Sequence, residues 1–94
     1  METHLYVISC LDPGVPDRYI GFTTNWERCL YFHSDEYDRT SERDTLLYRF
    51  VREHGGWDNW VMTVIGTYGS REEAYYVKQT FLLKHKFSLN TRQP

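Results

Sequence analysis

The segment 18–33 is expected to pass from a β-strand into an α-helix within a few residues. Gly21 permits close backbone approach at this junction, and the Thr-Thr-Asn sequence at 23–25 supplies oxygens that can cap a helix. Four side chains beyond the cap recur at i, i+3, i+4 and i+7 and so share one helix face: Trp26, Cys29, Leu30 and His33. An ionisable imidazole therefore points the same way as apolar side chains. A lone histidine in such a position is most often hydrogen-bonded at the edge of a core.

Two strands are predicted on the N-terminal side of this helix, joined as a hairpin. Residues 5–10 are rich in β-branched and aromatic types, which favour a strand. Residues 12–17 contain two prolines and a glycine and cannot continue a ladder, so they form the turn before the second strand at 18–22. The hairpin is expected to set Tyr6 and Tyr19 on neighbouring strands.

Two helices are predicted next along the chain. The first runs from Asn25 to about His33, and the acidic stretch 34–40 is most simply a loop. The second begins at 41–44, which offers a serine cap and an acidic first turn, and stops at Gly55-Gly56.

A third strand and a last helix complete the pattern. The strand at 60–65 is apolar almost throughout, which predicts a central strand covered on both faces. The sequence Ser70-Arg71-Glu72-Glu73 is a capping box that opens a helix running to about His85. One lysine belongs to the predicted inward stripe of this helix, which comprises Ala74, Val77, Lys78, Phe81 and Leu82.

Length and composition indicate one small domain spanning residues 1–94. The low mean hydropathy and the lack of a long apolar run argue against a membrane span. The N-terminus lacks the basic-then-apolar pattern of a secretory signal. We therefore expect Cys10 and Cys29 to be reduced in an intracellular protein, whose compartment stays open.

The formal net charge of −2 argues against strong nonspecific binding to nucleic acid, which needs a basic surface. Charge is unevenly distributed, however. Acidic side chains crowd the middle at Asp35, Glu36, Asp38, Glu42 and Asp44. The last quarter instead carries Lys78, Lys84, Lys86 and Arg92 against Glu72 and Glu73, which predicts either one basic face or two ordinary solvated surfaces.

Several motifs, in order and spanning nearly the whole chain, resemble those of the GIY-YIG nuclease family. Tyr19-Ile20-Gly21 with a histidine fourteen residues after the tyrosine resembles the second half of the signature; Tyr6 takes the place of the first tyrosine, without the preceding Gly-Ile. Further fragments that match are the sequence from Gly55 to Trp60, Glu72-Glu73-Ala74 and Leu89-Asn90. The resemblance implies an α/β (α+β) fold with a small three-stranded sheet flanked by about three helices.

The same resemblance assigns catalytic positions, of which Tyr6, Tyr19 and His33 are kept. In the family a tyrosine helped by the histidine activates water, a glutamate holds one divalent metal ion, and an arginine neutralises charge in the transition state. Counting along the motifs places Lys78 at the glutamate position and Cys29 at the arginine position. Phe22 stands where family members in DNA repair carry a lysine.

These departures imply a weak or inactive phosphodiesterase. An ammonium cannot ligate a hard cation, and a thiol offers neither the charge nor the forked donors of arginine. Arg28 is one residue from Cys29 but is rotated by about 100° around the helix. We therefore predict no bound metal, with Mg²⁺ or Mn²⁺ as the cofactor only if the chain is an active nuclease.

Three functions stay open. The first is a regulatory or nucleic-acid-binding module that contacts DNA through Tyr6, Tyr19, Thr23, Arg28, His33, Lys78 and Asn90. The second is a protein-interaction domain that uses the aromatic side chains of Tyr31, Tyr37, Trp57, Tyr75 and Tyr76. The third is a DNA endonuclease, active or deliberately inactivated. Zinc or redox chemistry is disfavoured because the cysteines and histidines lack paired ligand spacing.

Overall fold

A three-stranded antiparallel sheet with three helices forms the fold in the computed structural model, which describes residues 1–38 and 46–90. The strands lie in the order β2-β1-β3, with bounds β1 Thr3–Cys10, β2 Arg18–Thr23 and β3 Trp60–Tyr68. The helices are α1 Trp26–Asp38, α2 Leu46–Glu53 and α3 Arg71–Lys84. Short 3₁₀ turns cover Trp57–Asn59 and Ser88–Asn90. The predicted α+β arrangement of a small sheet flanked by helices is confirmed.

The central strand β1 supplies side chains to two apolar layers in turn. Leu5 and Val7 pack with Ile20 and with side chains of α3 on one face of the sheet. Tyr6 and Ile8 pack with side chains of α2 on the other face. This alternation follows from the two-residue period of a strand. A strand covered on both faces has apolar residues at successive positions, and β1 shows this pattern from Leu5 to Ile8.

The prediction that residues 60–65 form the central strand is wrong. Strand β3 pairs only with β1 and lies at the edge of the sheet, because β1 is bordered by β2 on its other side. Val61, Val64 and Ile65 are 40%, 38% and 42% exposed. An apolar run alone therefore did not distinguish a covered strand from an edge strand.

The prediction that the first helix ends near His33 is also wrong. Helix α1 continues through the acidic stretch to Asp38. This stretch contains no glycine or proline to stop a helix, and Tyr37 stacks on Trp57 with ring centroids 5.8 Å apart. The buried face of α1 is narrower than the sequence pattern predicts, because Leu30 is exposed whereas His33 is buried. The predicted cap at 41–44 lies outside the described residues.

Two helix boundaries follow their sequence signals. Gly55 and Gly56 end α2 with φ values of 99° and 80°, a region that L side chains rarely adopt. At the start of α3, Ser70 Oγ accepts from the backbone N–H of Glu73 at 3.1 Å. The Glu73 carboxylate accepts from the N–H of Gly69 at 3.3 Å, one residue before the partner that the capping box predicts.

Gly21 is required where β2 passes the ring of Tyr6. The two residues are paired across β1 and β2, and a Cβ placed on Gly21 would lie 2.7 Å from Tyr6 Oη. We expect Gly21→Ala to lower the free energy of unfolding by about 1–3 kcal/mol, because the overpacked ring must move. Urea unfolding measures the change.

Gly69→Ala is the matched control, since its Cβ would meet no atom closer than Glu73 Oε1 at 3.9 Å. Equal stability of the two variants would contradict the packing described for Tyr6.

Candidate functional site

A buried chain of hydrogen bonds links Tyr6, His33 and Tyr48. Tyr6 Oη lies 2.8 Å from His33 Nε2, and Tyr48 Oη lies 2.6 Å from His33 Nδ1. All three side chains are at most 6% exposed. A neutral imidazole has one N–H donor and one acceptor nitrogen, so one tyrosine donates to it and the other accepts from it.

Burial favours the uncharged forms of the three side chains in this hydrogen-bond chain. It lowers the pKa of His33 from its ordinary value to about 4. Burial also raises the pKa of Tyr6 and of Tyr48 well above the usual tyrosine range, and it raises the pKa of Tyr19. At neutral pH the imidazole is therefore uncharged and the phenols keep their protons.

Tyr6 and His33 lie at the base of an open cleft of about 510 Å³, which we call the Tyr–His cleft. Its lining comprises Tyr6, Tyr19, Phe22, Thr23, Thr24, Asn25, Arg28, Cys29, Phe32 and His33. Tyr19 packs beside the hydrogen-bonded pair, with ring centroids 6.4 Å from Tyr6 and 6.1 Å from His33. Six of the eight candidate site residues from the sequence therefore line one cavity: Tyr6, Tyr19, Thr23, Arg28, Cys29 and His33.

The Cys29 thiol belongs to this cleft and contributes to the raised pKa of both Tyr6 and Tyr19. Arg28 precedes it on α1, is exposed, and lines the same cleft. The guanidinium thus reaches the rim of the cavity, although the two side chains leave the helix in different directions.

A second cleft of about 520 Å³ shares Tyr19, Phe32 and His33 with the first. Lys78 and Asn90 line it together with Glu36 and Tyr48. Lys78 is half-buried, and its Nζ lies 5.4 Å from the centroid of Phe22, which itself lines the Tyr–His cleft. The ammonium predicted at the metal-ligand position therefore belongs to the second cleft and lies beside one wall residue of the first.

Asn90 ties the C-terminal segment to the outer edge of β2. Its Oδ1 accepts from the N–H of Ile20 at 2.6 Å, and its Nδ2 donates to the C=O of Ile20 at 2.8 Å. The side-chain amide thus replaces a strand partner at an open sheet edge. This pair of bonds holds Asn90 in the wall of the second cleft.

Thr23 and Asn25 are engaged at the start of α1. Asn25 Oδ1 accepts from the backbone N–H of Arg28 at 3.0 Å, the bond expected of an N-cap. Thr23 Oγ1 accepts from the backbone N–H of Asn25 at 3.1 Å. These contacts fix the turn that presents Arg28 at the rim.

Tyr48 is a site residue that the sequence reasoning missed. It lies three residues before the buried Val51 on α2, so its position on the inward face was the one available signal. Trp57 also contacts the imidazole, stacking on His33 with centroids 6.3 Å apart. The partners of a buried histidine come from elements distant in sequence, which local spacing does not specify.

The aromatic side chains predicted for protein interaction fall into two groups. Tyr31, Tyr75 and Tyr76 are 72%, 53% and 73% exposed. Tyr37 and Trp57 are half-buried and stack on each other. Trp57 therefore belongs to the packing around His33.

The donor set of the clefts does not fit a divalent cation. In the described ranges 1–38 and 46–90, no group of three or more His, Cys, Asp or Glu side chains is placed to hold a metal ion. Glu36 is the one carboxylate that lines either cleft within these ranges, and Lys78 lines the same cavity. An ammonium in that position repels a cation.

No family model, curated protein or solved structure matches this chain. Among the described residues, no helix has the length and apolarity needed to cross a membrane.

The buried imidazole should make stability depend on pH. The folded state binds a proton on His33 only near pH 4, whereas the unfolded chain binds it near pH 6.5. The free energy of unfolding should therefore fall as the pH drops from about 6.5 to about 4, by up to about 3 kcal/mol. Urea unfolding across this range measures the effect.

His33→Gln should remove this part of the acid sensitivity, whereas His85→Gln, which alters an exposed histidine, should leave it intact. Identical pH profiles for the wild type and His33→Gln would contradict a buried neutral imidazole.

Proposed function

We propose that this chain is a GIY-YIG-type nuclease-fold domain that binds a nucleic-acid backbone and has lost efficient phosphodiester hydrolysis. The observation that carries the proposal is the convergence around His33. The kept positions Tyr6 and Tyr19 and the substituted position Cys29 line one cleft with it. Lys78, the other substituted position, shares a second cleft with His33 and Tyr19.

The order of elements supports the same proposal. Tyr6 and Tyr19 lie on the paired strands β1 and β2, and His33 lies on the helix that follows. Asn90, the counterpart of the family's closing asparagine, is bonded to β2 beside Tyr19. This is the arrangement that the motif resemblance implies.

Weak hydrolysis follows from the charged groups that the cleft lacks. Cys29 provides no fixed positive charge for a transition state, and Lys78 is no ligand for a Lewis-acidic metal ion. Such losses cost several kcal/mol, which corresponds to several decades in rate.

Backbone binding follows from the groups that are present. Arg28 lines the rim of the Tyr–His cleft, and the Lys78 ammonium lies beside Phe22 in its wall. Whichever tyrosine accepts from His33 keeps its own O–H proton for another acceptor, and phosphate oxygens are acceptors. With few cations and a net charge of −2, the expected binding is weak and strongly salt-dependent.

Cleavage assays on plasmid DNA with Mg²⁺ or Mn²⁺ test the loss of hydrolysis. We expect no nicking by the unmodified chain, and nicking by a Cys29→Arg/Lys78→Glu variant that restores both charged groups. Cys29→Ser/Lys78→Gln is the matched control, which changes the same side chains and should stay inactive. Robust cutting by the unmodified chain would overturn the proposal.

Fluorescence anisotropy on branched, duplex and single-stranded DNA tests binding at two salt concentrations. We expect binding at low salt, and Arg28→Ala should weaken it about fivefold and reduce the salt slope by about 1. Arg49→Ala removes the same charge from an exposed position of α2 and should have little effect. The absence of salt-dependent binding to all three DNAs would rule out this function.

A further inference from the structure

A third cleft, of about 770 Å³, lies between the C-terminal half of α3 and the segment that follows it. We call it the lysine cleft, because all three lysines of the chain line it: Lys78, Lys84 and Lys86. His85 lines it as well, and no carboxylate does within the described ranges. Two acids adjoin it: the Asp17 carboxylate accepts from Ser88 Oγ at 2.7 Å, and Glu36 lines the second cleft together with Lys78.

Helix stability alone does not explain this clustering. A lysine near a helix C-terminus interacts favourably with the last carbonyls, which suits Lys84. Lys78 lies in the middle of α3 and Lys86 lies beyond its end, so neither gains that contact. Lys84 and Lys86 are two residues apart and line the same concave surface, so their like charges repel each other, and a polyanionic ligand offsets this cost.

The walls of the lysine cleft also carry aromatic and apolar surface. Tyr75 lines it and is 53% exposed, and Leu83 lines it and is 89% exposed. The Tyr75 ring meets Phe22 in a T-shaped contact with centroids 6.5 Å apart. An exposed ring in a cleft lined by lysines can stack on an unpaired base while the lysines contact the backbone. A duplex presents phosphates but hides the faces of its bases, so it would leave the Tyr75 ring unused.

The lysine cleft is continuous with the candidate site. Lys78 and Asn90 line both the lysine cleft and the second cleft, which shares Tyr19, Phe32 and His33 with the Tyr–His cleft. We propose that the lysine cleft binds a single-stranded nucleic-acid segment that continues from the Tyr–His cleft through the second cleft and past Lys78, with a base stacked on Tyr75. This inference rests on the proposed function and adds the strand state of the ligand and its path.

Anisotropy with fluorescent oligothymidylates of about 4 and about 12 nucleotides, and with a duplex of the longer length, tests the path. We expect the longer single strand to bind more tightly than both other probes. Lys84→Ala/Lys86→Ala should weaken its binding about tenfold and reduce the salt slope by about 1.4. Arg49→Ala/Arg52→Ala removes equal charge from exposed positions of α2 and should leave the affinity within about twofold of the wild type.

Tyr75→Ala tests stacking and should weaken binding of the longer single strand about tenfold. Tyr76→Ala is its matched control, because this neighbouring ring is 73% exposed and does not line the cleft. The altered lysines and tyrosines are exposed, so each variant is expected to fold, and circular dichroism of each variant checks this.

Failure of this inference is distinguishable from failure of the proposed function. If the wild type binds none of the probes, both the proposed function and this inference are wrong. If it binds and Arg28→Ala weakens binding while the lysine and Tyr75 variants do not, the path through the lysine cleft alone is overturned. Tighter binding of the duplex, or equal competition by a polyglutamate peptide, would likewise overturn a single-stranded nucleic-acid ligand.

Discussion

The hydrogen bonds that His33 makes with Tyr6 and Tyr48 organise this structure. They join the central strand β1 to both helices on one face of the sheet. A buried polar group is costly when it lacks a partner, and both imidazole nitrogens have one here. Each partner constrains the next, so the positions of all three elements depend on one neutral imidazole.

Neighbouring residues hold the hydrogen-bond chain of Tyr6, His33 and Tyr48 in position. Gly21 leaves space for the Tyr6 ring, and Asn90 closes the edge of β2 beside Tyr19. The charged groups Arg28 and Lys78 stand at the edges of the clefts, outside the buried chain. The result is a buried, uncharged hydrogen-bond chain with the charged groups Arg28, Lys78 and Glu36 in the cleft linings around it.

Local patterns in the sequence were sufficient for several elements. The hairpin that pairs β1 with β2, the buried position of His33 and the cap at Ser70 depend on residues close together in the chain. Strand order does not follow from such local patterns, because it depends on which strand pairs with each edge of β1. The apolar run of β3 is compatible with an edge or a central position, and sequence alone did not decide between them.

Tertiary contacts account for the other differences. Helix α1 extends to Asp38 with Tyr37 stacked on Trp57, a contact that the acidic composition does not reveal. Tyr48 reaches His33 from α2, fifteen residues further along the chain, so no local spacing links the two. Cys29 and Lys78, the two substituted positions expected from the motif resemblance, each line a cleft that His33 also lines.

The most direct measurement of the central claim is an NMR titration of the His33 ring nitrogens in the intact chain, with His33→Gln used for assignment. The account predicts that the imidazole stays neutral and in one tautomer well below pH 6.5 and gains a proton only near pH 4. A His33 ring that titrates near pH 6.5, like an exposed histidine, would contradict a buried chain between Tyr6 and Tyr48.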